Sequence, residues 1–307
     1  MPVGVMLGPQ RKAITVPDEL RRHGVTGRIA TITAGWQERE AEDDELRAAL
    51  GHRTINLRLH KRVDDVFEAD PELFKVHRAR QDRLRQLREL YTVRLDHALN
   101  AVRALMDRHE PAEMLHPEIE DAIAYVRRLD AWHLDRISQA HAAFEADARP
   151  QERPAVRKER AAVLAVLGEC EAVAVAGGHV STLLNRMRLL DLTQTLRAKV
   201  VVGWSAGAMV LTDRVVLFHD RPPEGPGNAE VLDLGLGVLP GVVALPHASK
   251  RMRTDDVHRM SLFARRFAPS LCVALDPWSR ARFGDGAWSA EAGTLHVSHD
   301  GSLQPLH

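Results

Sequence analysis

A serine in a glycine-rich turn carries the strongest chemical signal of the chain. Residues Gly203-Trp-Ser205-Ala-Gly207 have the pattern G-x-S-x-G, after the predicted strand 199–202 and before the helix-compatible segment 208–211. Between a strand and a helix, this pattern forms a strained turn that lifts the serine hydroxyl clear of the sheet. The first helical amides then favour a developing negative charge. The pattern predicts a nucleophilic Ser205; the alternative is a β-to-α turn whose serine is incidental.

A second glycine turn, Ala176-Gly177-Gly178-His179, follows the preceding predicted strand. Because the carboxyl ends of neighbouring parallel strands meet at one edge of a sheet, we expect this turn beside Ser205. Acyl transfer needs two backbone N–H donors that converge on one oxygen. The amides of Gly178 and Ala206 are the expected oxyanion hole, and the glycines also suit tight packing of the following helix on its strand.

A nucleophilic serine needs a base, and the chain contains 16 histidines. His247 directly follows the predicted strand 242–245 and Pro246, again at a carboxyl edge, so it is the expected base. His179, His219 and His258 are weaker alternatives. No HExxH pattern or Cys/His spacing indicates a metal, and we expect neither a metal nor an organic cofactor.

Five segments together resemble a known family, the serine peptidases that comprise dipeptidase E (aspartyl dipeptidase) and cyanophycinase. The resemblance implies a class I glutamine amidotransferase-like, flavodoxin-like α/β fold, and it covers about 1–65 and 155–300. The segments that carry it are the serine turn 203–208, the first-strand turn Ile32-Thr-Ala-Gly35, the Gly-Gly turn followed by Leu183-Leu184, Pro246-His247 followed by Arg251 and Arg253, and Val273-Ala-Leu-Asp276.

By that resemblance Ser205 is the nucleophile and His247 the base. Asp220, 15 residues after Ser205, falls where dipeptidase E places its acid. Alternatively, Asp220 is an ordinary aspartate of a turn. Asp276 is the other candidate for orienting His247.

The candidate substrate-binding residues are His179, Arg251, Arg253 and Asp276. Two arginines at these offsets could bind a substrate carboxylate through bidentate hydrogen bonds, although each is also an ordinary surface residue in an arginine-rich chain. Where the family has a polar pair after the two glycines, this chain has His179-Val180. The specificity of neither named enzyme is therefore implied.

The pattern along the chain predicts one α/β domain over 1–307 with a helical insertion at about 70–150. Apolar residues recur at three- and four-residue steps over 84–105, and a second helix is expected with Pro117 in its first turn. The flanking parts predict a mostly parallel sheet flanked by helices, with short antiparallel hairpins after residue 280. Its predicted strands are 28–34, 53–59, 171–176, 199–202, 215–218, 242–245 and 272–275, and its predicted helices are 37–50, 156–168 and 181–196.

Composition excludes several classes of protein. The 307 residues are 45% hydrophobic, which is enough for a full core, and 42 basic residues balance 42 acidic ones. Nucleic-acid and membrane-surface proteins usually carry a basic excess, so we expect neither partner. Two cysteines cannot make a disulfide scaffold, and no apolar run approaches the roughly 18 residues of a membrane span. The expected location is cytoplasmic, and a homodimer formed through the hairpin is favoured.

The sequence thus predicts a serine hydrolase that cleaves a peptide or isopeptide bond through an acyl-enzyme on Ser205. One alternative is an α/β-hydrolase-type esterase, which also uses G-x-S-x-G. Against it, hairpins rather than further βα units follow His247. The other alternative is a non-catalytic binding module with a degenerate site, which His179-Val180 keeps open.

Overall fold

The computed structural model describes residues 3–11, 14–220 and 227–306. The strands of these residues are β1 Gly4–Leu7, β2 Arg28–Ile32, β3 Thr54–Asn56, β4 Cys170–Val175, β5 Val200–Trp204, β6 Arg214–Leu217, β7 Glu230–Leu234, β8 Val242–Pro246, β9 Leu271–Leu275, β10 Arg280–Gly284, β11 Ala287–Ala290, β12 Leu295–Val297 and β13 Leu303–Pro305. Their α-helices are α1 Val16–Arg22, α2 Asp44–Ala49, α3 Leu59–Ala69, α4 Pro71–Met106, α5 Ala112–Ala148, α6 Pro154–Gly168, α7 Val180–Leu189, α8 Thr193–Arg197, α9 Ala206–Leu211, α10 Ala248–Arg251 and α11 Val257–Phe267. Two 3-10 helices cover Ala34–Arg39 and Pro150–Glu152.

A seven-stranded sheet forms the centre of the protein, in the order β11-β10-β1-β5-β4-β2-β3. Strands β1, β5, β4, β2 and β3 are parallel, whereas β10 and β11 add an antiparallel edge. The mostly parallel α/β fold expected from the sequence is thereby confirmed. Because β5, β4 and β2 are neighbours, the turns that follow them lie side by side at one edge.

A second sheet, in the order β13-β12-β9-β8, carries the strand that leads to His247. Strands β8 and β9 are parallel, and β12 and β13 complete the sheet as antiparallel strands. The expected strand at 242–245 is present but belongs to this sheet, not to the central one. Strands β6 and β7, which come between β5 and β8 in the sequence, form a separate antiparallel pair.

The central strands are buried on both faces, which explains their nearly continuous apolar sequences. In β4, Val173 and Val175 belong to the larger apolar cluster on one face, whereas Ala172 and Ala174 belong to the smaller cluster on the other. Strand β5 alternates in the same way, with Val201 on the first face and Val202 on the second. This period of two fixes the register of the strands.

The helical hairpin of α4 and α5 packs on itself and on the α/β body. Its buried apolar side chains, among them Leu95, Val102, Ile123 and Phe144, are continuous with the larger core cluster. Tertiary contacts join α5 to β7 and to α11. The apolar stripes predicted from the sequence are therefore buried within this chain. None of the described helices is both long enough and apolar enough to cross a membrane.

Several predicted boundaries were wrong. Helix α5 begins at Ala112 with Pro111 as its N-terminal cap, so Pro117 lies inside the helix and not in the first turn. Leu59 does not extend a strand; it begins α3, because Arg58 adopts a left-handed conformation with φ 50°. The expected helix 37–50 is a 3-10 helix followed by α2, and the expected helix 181–196 divides into α7 and α8.

Candidate active site

Ser205 occupies a strained turn between β5 and α9. Its backbone has φ 52° and ψ −125°, a region that non-glycine residues rarely adopt. The turn is possible because the flanking positions lack side chains: a Cβ on Gly203 would lie 2.7 Å from the Leu211 side chain, and one on Gly207 would collide with the carbonyl oxygen of Val175. The Ser205 side chain remains partly accessible. This is the geometry that the G-x-S-x-G pattern predicts.

The Gly177-Gly178 turn lies directly against Ser205. A Cβ on Gly177 would lie 2.8 Å from the Cβ of Ser205 and 3.5 Å from the amide nitrogen of Ala206. Gly178 has φ 116° and packs on Gly35, so a side chain there would meet the Gly35 backbone. Within the described residues, the N–H groups of Gly178 and Ala206 have no hydrogen-bond acceptor. Two unengaged donors therefore lie on adjacent turns beside the serine hydroxyl.

His247 is hydrogen-bonded to the serine. Its Nε2 lies 3.2 Å from Ser205 Oγ, although 42 residues separate them in the chain. His247 follows β8 in the left-handed conformation, with φ 58° and ψ 40°, and its backbone N–H donates to the Leu275 carbonyl at 2.9 Å. Burial lowers the pKa of His247, and the positive charges of Arg251 and Lys250 lower it further. The imidazole is therefore biased toward its neutral form, which can accept a proton.

Asp276 is the carboxylate that acts on His247 electrostatically. Its negative charge raises the pKa of His247, against the larger lowering effects. Asp276 follows β9, and its oxygens accept the Ser249 backbone N–H at 3.1 Å and the Ser249 hydroxyl at 2.8 Å. Gly8, at the end of β1, packs closely on the Asp276 backbone. Asp276 therefore lies at the same edge as the serine and the histidine.

Asp220 is not brought to His247, contrary to one expectation from the sequence. Its carboxylate accepts the Arg253 backbone N–H at 3.0 Å and both donors of the Arg259 fork, Nε at 2.9 Å and Nη2 at 2.5 Å. No hydrogen bond joins Asp220 to His247 among the described residues. The spacing of 15 residues from Ser205 could not reveal this, because Arg259 comes much later in the chain and competes for the carboxylate.

Arg251 and Arg253 are both exposed and flank the buried Met252. Arg251 ends the short helix α10, and its backbone N–H donates to the His247 carbonyl at 2.9 Å. The Arg253 guanidinium lies 3.5 Å from the Asp256 carboxylate. The two predicted arginines therefore lie in the segment that immediately follows the histidine, with their side chains accessible.

His179 and a residue that the sequence did not indicate, Gln37, lie at the neighbouring turns. The His179 Nδ1 accepts the Thr182 backbone N–H at 3.2 Å, so the neutral ring carries its proton on Nε2. Gln37 Nε2 donates to Thr182 Oγ1 at 3.2 Å. Gln37 has φ 58° and ψ −126°, nearly the values of Ser205. The sequence shows only half of the serine-turn pattern here: Gly35 stands two residues before Gln37, as Gly203 does before Ser205, but Arg39 stands where the second glycine would be.

The site contains no arrangement that favours a metal ion. Within the ranges that the structure describes, no group of three or more His, Cys, Asp or Glu side chains could hold one. The chemistry available from the side chains is that of a hydroxyl next to a neutral imidazole, with a carboxylate near the imidazole and two free amides near the hydroxyl.

A hydroxyl beside a neutral imidazole is the arrangement found in serine hydrolases, and comparison with known proteins gives the class as a serine-type peptidase. The model of peptidase family S51 matches residues 123–274, a range that includes the Gly-Gly turn, Ser205 and His247. This match confirms the resemblance to that family of serine peptidases stated from the sequence.

One solved structure found by the comparison is a peptidase from an acI-B1 Actinobacterium. It is 12% identical, with 99% of this chain and 93% of that chain covered and a TM-score of 0.48. No curated protein matches the chain.

Proposed function

We propose that this peptidase cleaves a peptide or isopeptide bond through an acyl-enzyme on Ser205, with His247 as the general base. The observation that carries the proposal is the 3.2 Å contact between Ser205 Oγ and His247 Nε2 at a serine held in a strained turn. A hydroxyl becomes nucleophilic at neutral pH when a neutral imidazole is placed to take its proton.

The reaction follows from the positions of these groups. Ser205 Oγ attacks the carbonyl carbon while its proton passes to His247 Nε2, and the carbonyl oxygen becomes an oxyanion that the Gly178 and Ala206 amides stabilise. His247 then donates that proton to the leaving amine, and the carbon–nitrogen bond breaks. A water molecule then attacks the acyl carbon while its proton passes to His247; the bond from that carbon to Ser205 Oγ breaks, and His247 returns the proton to Oγ as the carboxylic acid product leaves. No cofactor is needed in these steps.

Asp276 is the proposed orienting acid in place of Asp220. It is the carboxylate whose charge favours the protonated form of His247, which is the form that develops during attack. Asp220 is not among the charges that shift this pKa, and its carboxylate is hydrogen-bonded to Arg259 and the Arg253 amide.

The exposed Arg251 and Arg253 are the proposed binding groups for a carboxylate of the substrate. The Nε2–H of His179, at the turn on the other side of Ser205, is a further proposed donor to the substrate. Peptides with acidic N-terminal residues and β-linked isopeptides are therefore the substrates to examine first.

The acid limb of the pH profile should report His247. Activity needs the neutral imidazole, so we expect the rate of Ser205 labelling by a neutral fluorophosphonate to fall with acidification, with a midpoint below the ordinary pKa of histidine. The replacement Arg251→Gln removes a charge that lowers this pKa, so it should move the midpoint to higher pH. Arg83→Gln, at an exposed position on α4, is the control and should leave it unchanged. A midpoint that Arg251→Gln moves downward would contradict the proposed base.

A direct test of the bond that is cleaved compares two panels with the wild-type protein. The first contains aspartyl, β-aspartyl and alanyl dipeptides, with free or amidated carboxyl termini; the second contains short-chain aryl esters. We expect turnover of at least one peptide, and a transient acyl adduct on Ser205 in acid-quenched samples. Ester hydrolysis with no peptide turnover would favour an esterase, and failure of both panels would favour a non-catalytic binding module.

A further inference from the structure

One buried residue, Asp220, binds both ends of the segment that carries the two exposed arginines, one end through its backbone N–H and the other through its carboxylate. The Asp220 backbone N–H donates to the Arg251 carbonyl at 2.8 Å, and its Oδ2 accepts the Arg253 backbone N–H at 3.0 Å. Asp220 is only 5% exposed. Hydrogen bonds shielded from water in this way hold a backbone more firmly than surface ones. The conformation of 251–253 therefore depends on Asp220.

The conformation that Asp220 holds directs the two arginines outward. Met252 is extended, with φ −112° and ψ 155°, and its side chain is buried in the core. Met252 is buried, whereas Arg251 at the end of α10 and Arg253 on its other side are both exposed to solvent. We call residues 251–253 the arginine arm. It adjoins His247 directly, because the Arg251 backbone N–H donates to the His247 carbonyl at 2.9 Å.

Arg259, in the first turn of α11, fixes the orientation of the Asp220 carboxylate. Its Nε and Nη2 form a two-point pair with the two carboxylate oxygens, and Asp256 caps the helix by accepting the Arg259 backbone N–H at 3.0 Å. Such bidentate pairs impose direction as well as attraction. With the Arg253 amide added, both oxygens of Asp220 are hydrogen-bonded to Arg259 or to the arginine arm.

Helix α4 of the hairpin is connected by hydrogen bonds to the pair formed by Asp220 and Arg259. Arg259 Nη2 also donates to the Gly227 carbonyl at 2.5 Å. The next residue, Asn228, is held by α4: its Nδ2 donates to Asp96 Oδ1 at 2.7 Å, and its Oδ1 accepts from Arg103. A continuous path of hydrogen bonds thus runs from α4 through residues 227–228 and Arg259 to Asp220.

We infer that Asp220 and Arg259 are positioning residues that hold the arginine arm for substrate binding, and that the hairpin helix α4 supports them. The inference rests on the proposed peptidase function. It gives Asp220 a different role from that of a catalytic acid, and it gives the inserted hairpin a role in selecting the substrate.

The test separates chemistry at Ser205 from recognition by the arm. Chemistry is measured as the second-order rate constant for labelling by a neutral fluorophosphonate. Recognition is measured as the ratio of kcat/KM for a carboxylate-bearing panel peptide to that for its amidated or alanyl counterpart. If Asp220 only positions the arm, Asp220→Asn should change labelling by less than about threefold but lower the selectivity ratio by about tenfold or more. Arg259→Gln, which leaves the Asp220 carboxylate in place, should do the same.

Two further variants show what loss of the orienting acid and loss of an unrelated carboxylate do to the same two measurements. Asp276→Asn should slow labelling by about 100-fold or more, as loss of an orienting acid does. Asp70→Asn is the matched control, because Asp70 also accepts a backbone N–H, from Leu73, and a guanidinium, from Arg153, but at the base of the hairpin. It should change neither measurement.

Labelling lowered by Asp220→Asn as much as by Asp276→Asn would overturn the inference and restore Asp220 as the acid. An unchanged selectivity ratio in both Asp220→Asn and Arg259→Gln would also overturn it. Absence of labelling in the wild-type protein is a different result, which would overturn the proposed function itself. If Asp220→Asn does not fold, Arg259→Gln still decides the question.

Discussion

Replacing Ser205 with alanine should lower kcat on any peptide substrate by at least about 10⁴-fold, because the acyl-enzyme cannot form without the hydroxyl. The free energy of unfolding should hardly change, since the residue is at the surface of the site and its strained backbone accepts alanine as readily as serine. Hydrolysis at a constant enzyme concentration, together with a thermal melt, measures both effects.

Ser289→Ala is the matched control for this replacement. Ser289 lies exposed on the edge strand β11, which β10 and β1 separate from the strand β5 that leads to Ser205. It should retain full turnover. If Ser205→Ala kept more than about a hundredth of the wild-type kcat, the covalent mechanism would be excluded, because loss of a nucleophile is among the largest single effects known in hydrolases.

The second large effect is on stability and concerns a buried ion pair between the hairpin and α11. Arg266 Nε donates to Asp130 Oδ2 at 2.7 Å and its Nη2 to Asp130 Oδ1 at 2.8 Å; both residues are 3% exposed. Tyr91 donates its hydroxyl to Asp130 at 2.7 Å and accepts from Arg266 at 2.8 Å. Asp130→Ala leaves the guanidinium buried without its counter-charge. We expect a loss of about 3 to 5 kcal/mol of unfolding free energy.

Two further variants test whether the unpaired buried charge causes this loss of stability. Tyr91→Phe removes one hydrogen-bonding group but leaves the ion pair, so it should cost about 1 to 3 kcal/mol. The double replacement Asp130→Leu with Arg266→Met removes both charges and should recover most of the loss. Denaturant unfolding of the four proteins measures these differences. A change below about 1 kcal/mol for Asp130→Ala would mean that the hairpin is not packed on α11 as described.

The parts of the site that the sequence predicted are those fixed by local backbone chemistry. The serine turn needs small residues at fixed offsets, so Gly203 and Gly207 identify it without any tertiary information. His247 could be chosen because it follows a strand at the carboxyl edge, although that strand belongs to the second sheet. Both inferences depend on the position of a residue relative to its own strand.

The parts that were missed depend on partners distant in sequence. Asp220 was a candidate acid by spacing, but Arg259 and the Arg253 amide engage its oxygens. Strand β7 was not expected, because its sequence Glu230-Val-Leu-Asp-Leu234 alternates only weakly and its pairing partner is β6. Pro117 was placed at a helix start, whereas α5 begins five residues earlier at Ala112 and includes the proline. In each case tertiary contacts outweigh the local signal.

The central claim, that Ser205 is the nucleophile activated by His247, is tested most directly by locating a fluorophosphonate adduct by peptide mass spectrometry in the wild-type, Ser205→Ala and His247→Ala proteins. The geometry predicts a single adduct on Ser205 in the wild-type protein, none in Ser205→Ala, and labelling slowed by about 10³-fold or more in His247→Ala. An adduct on a different residue, or labelling that persists unchanged in Ser205→Ala, would contradict the assignment.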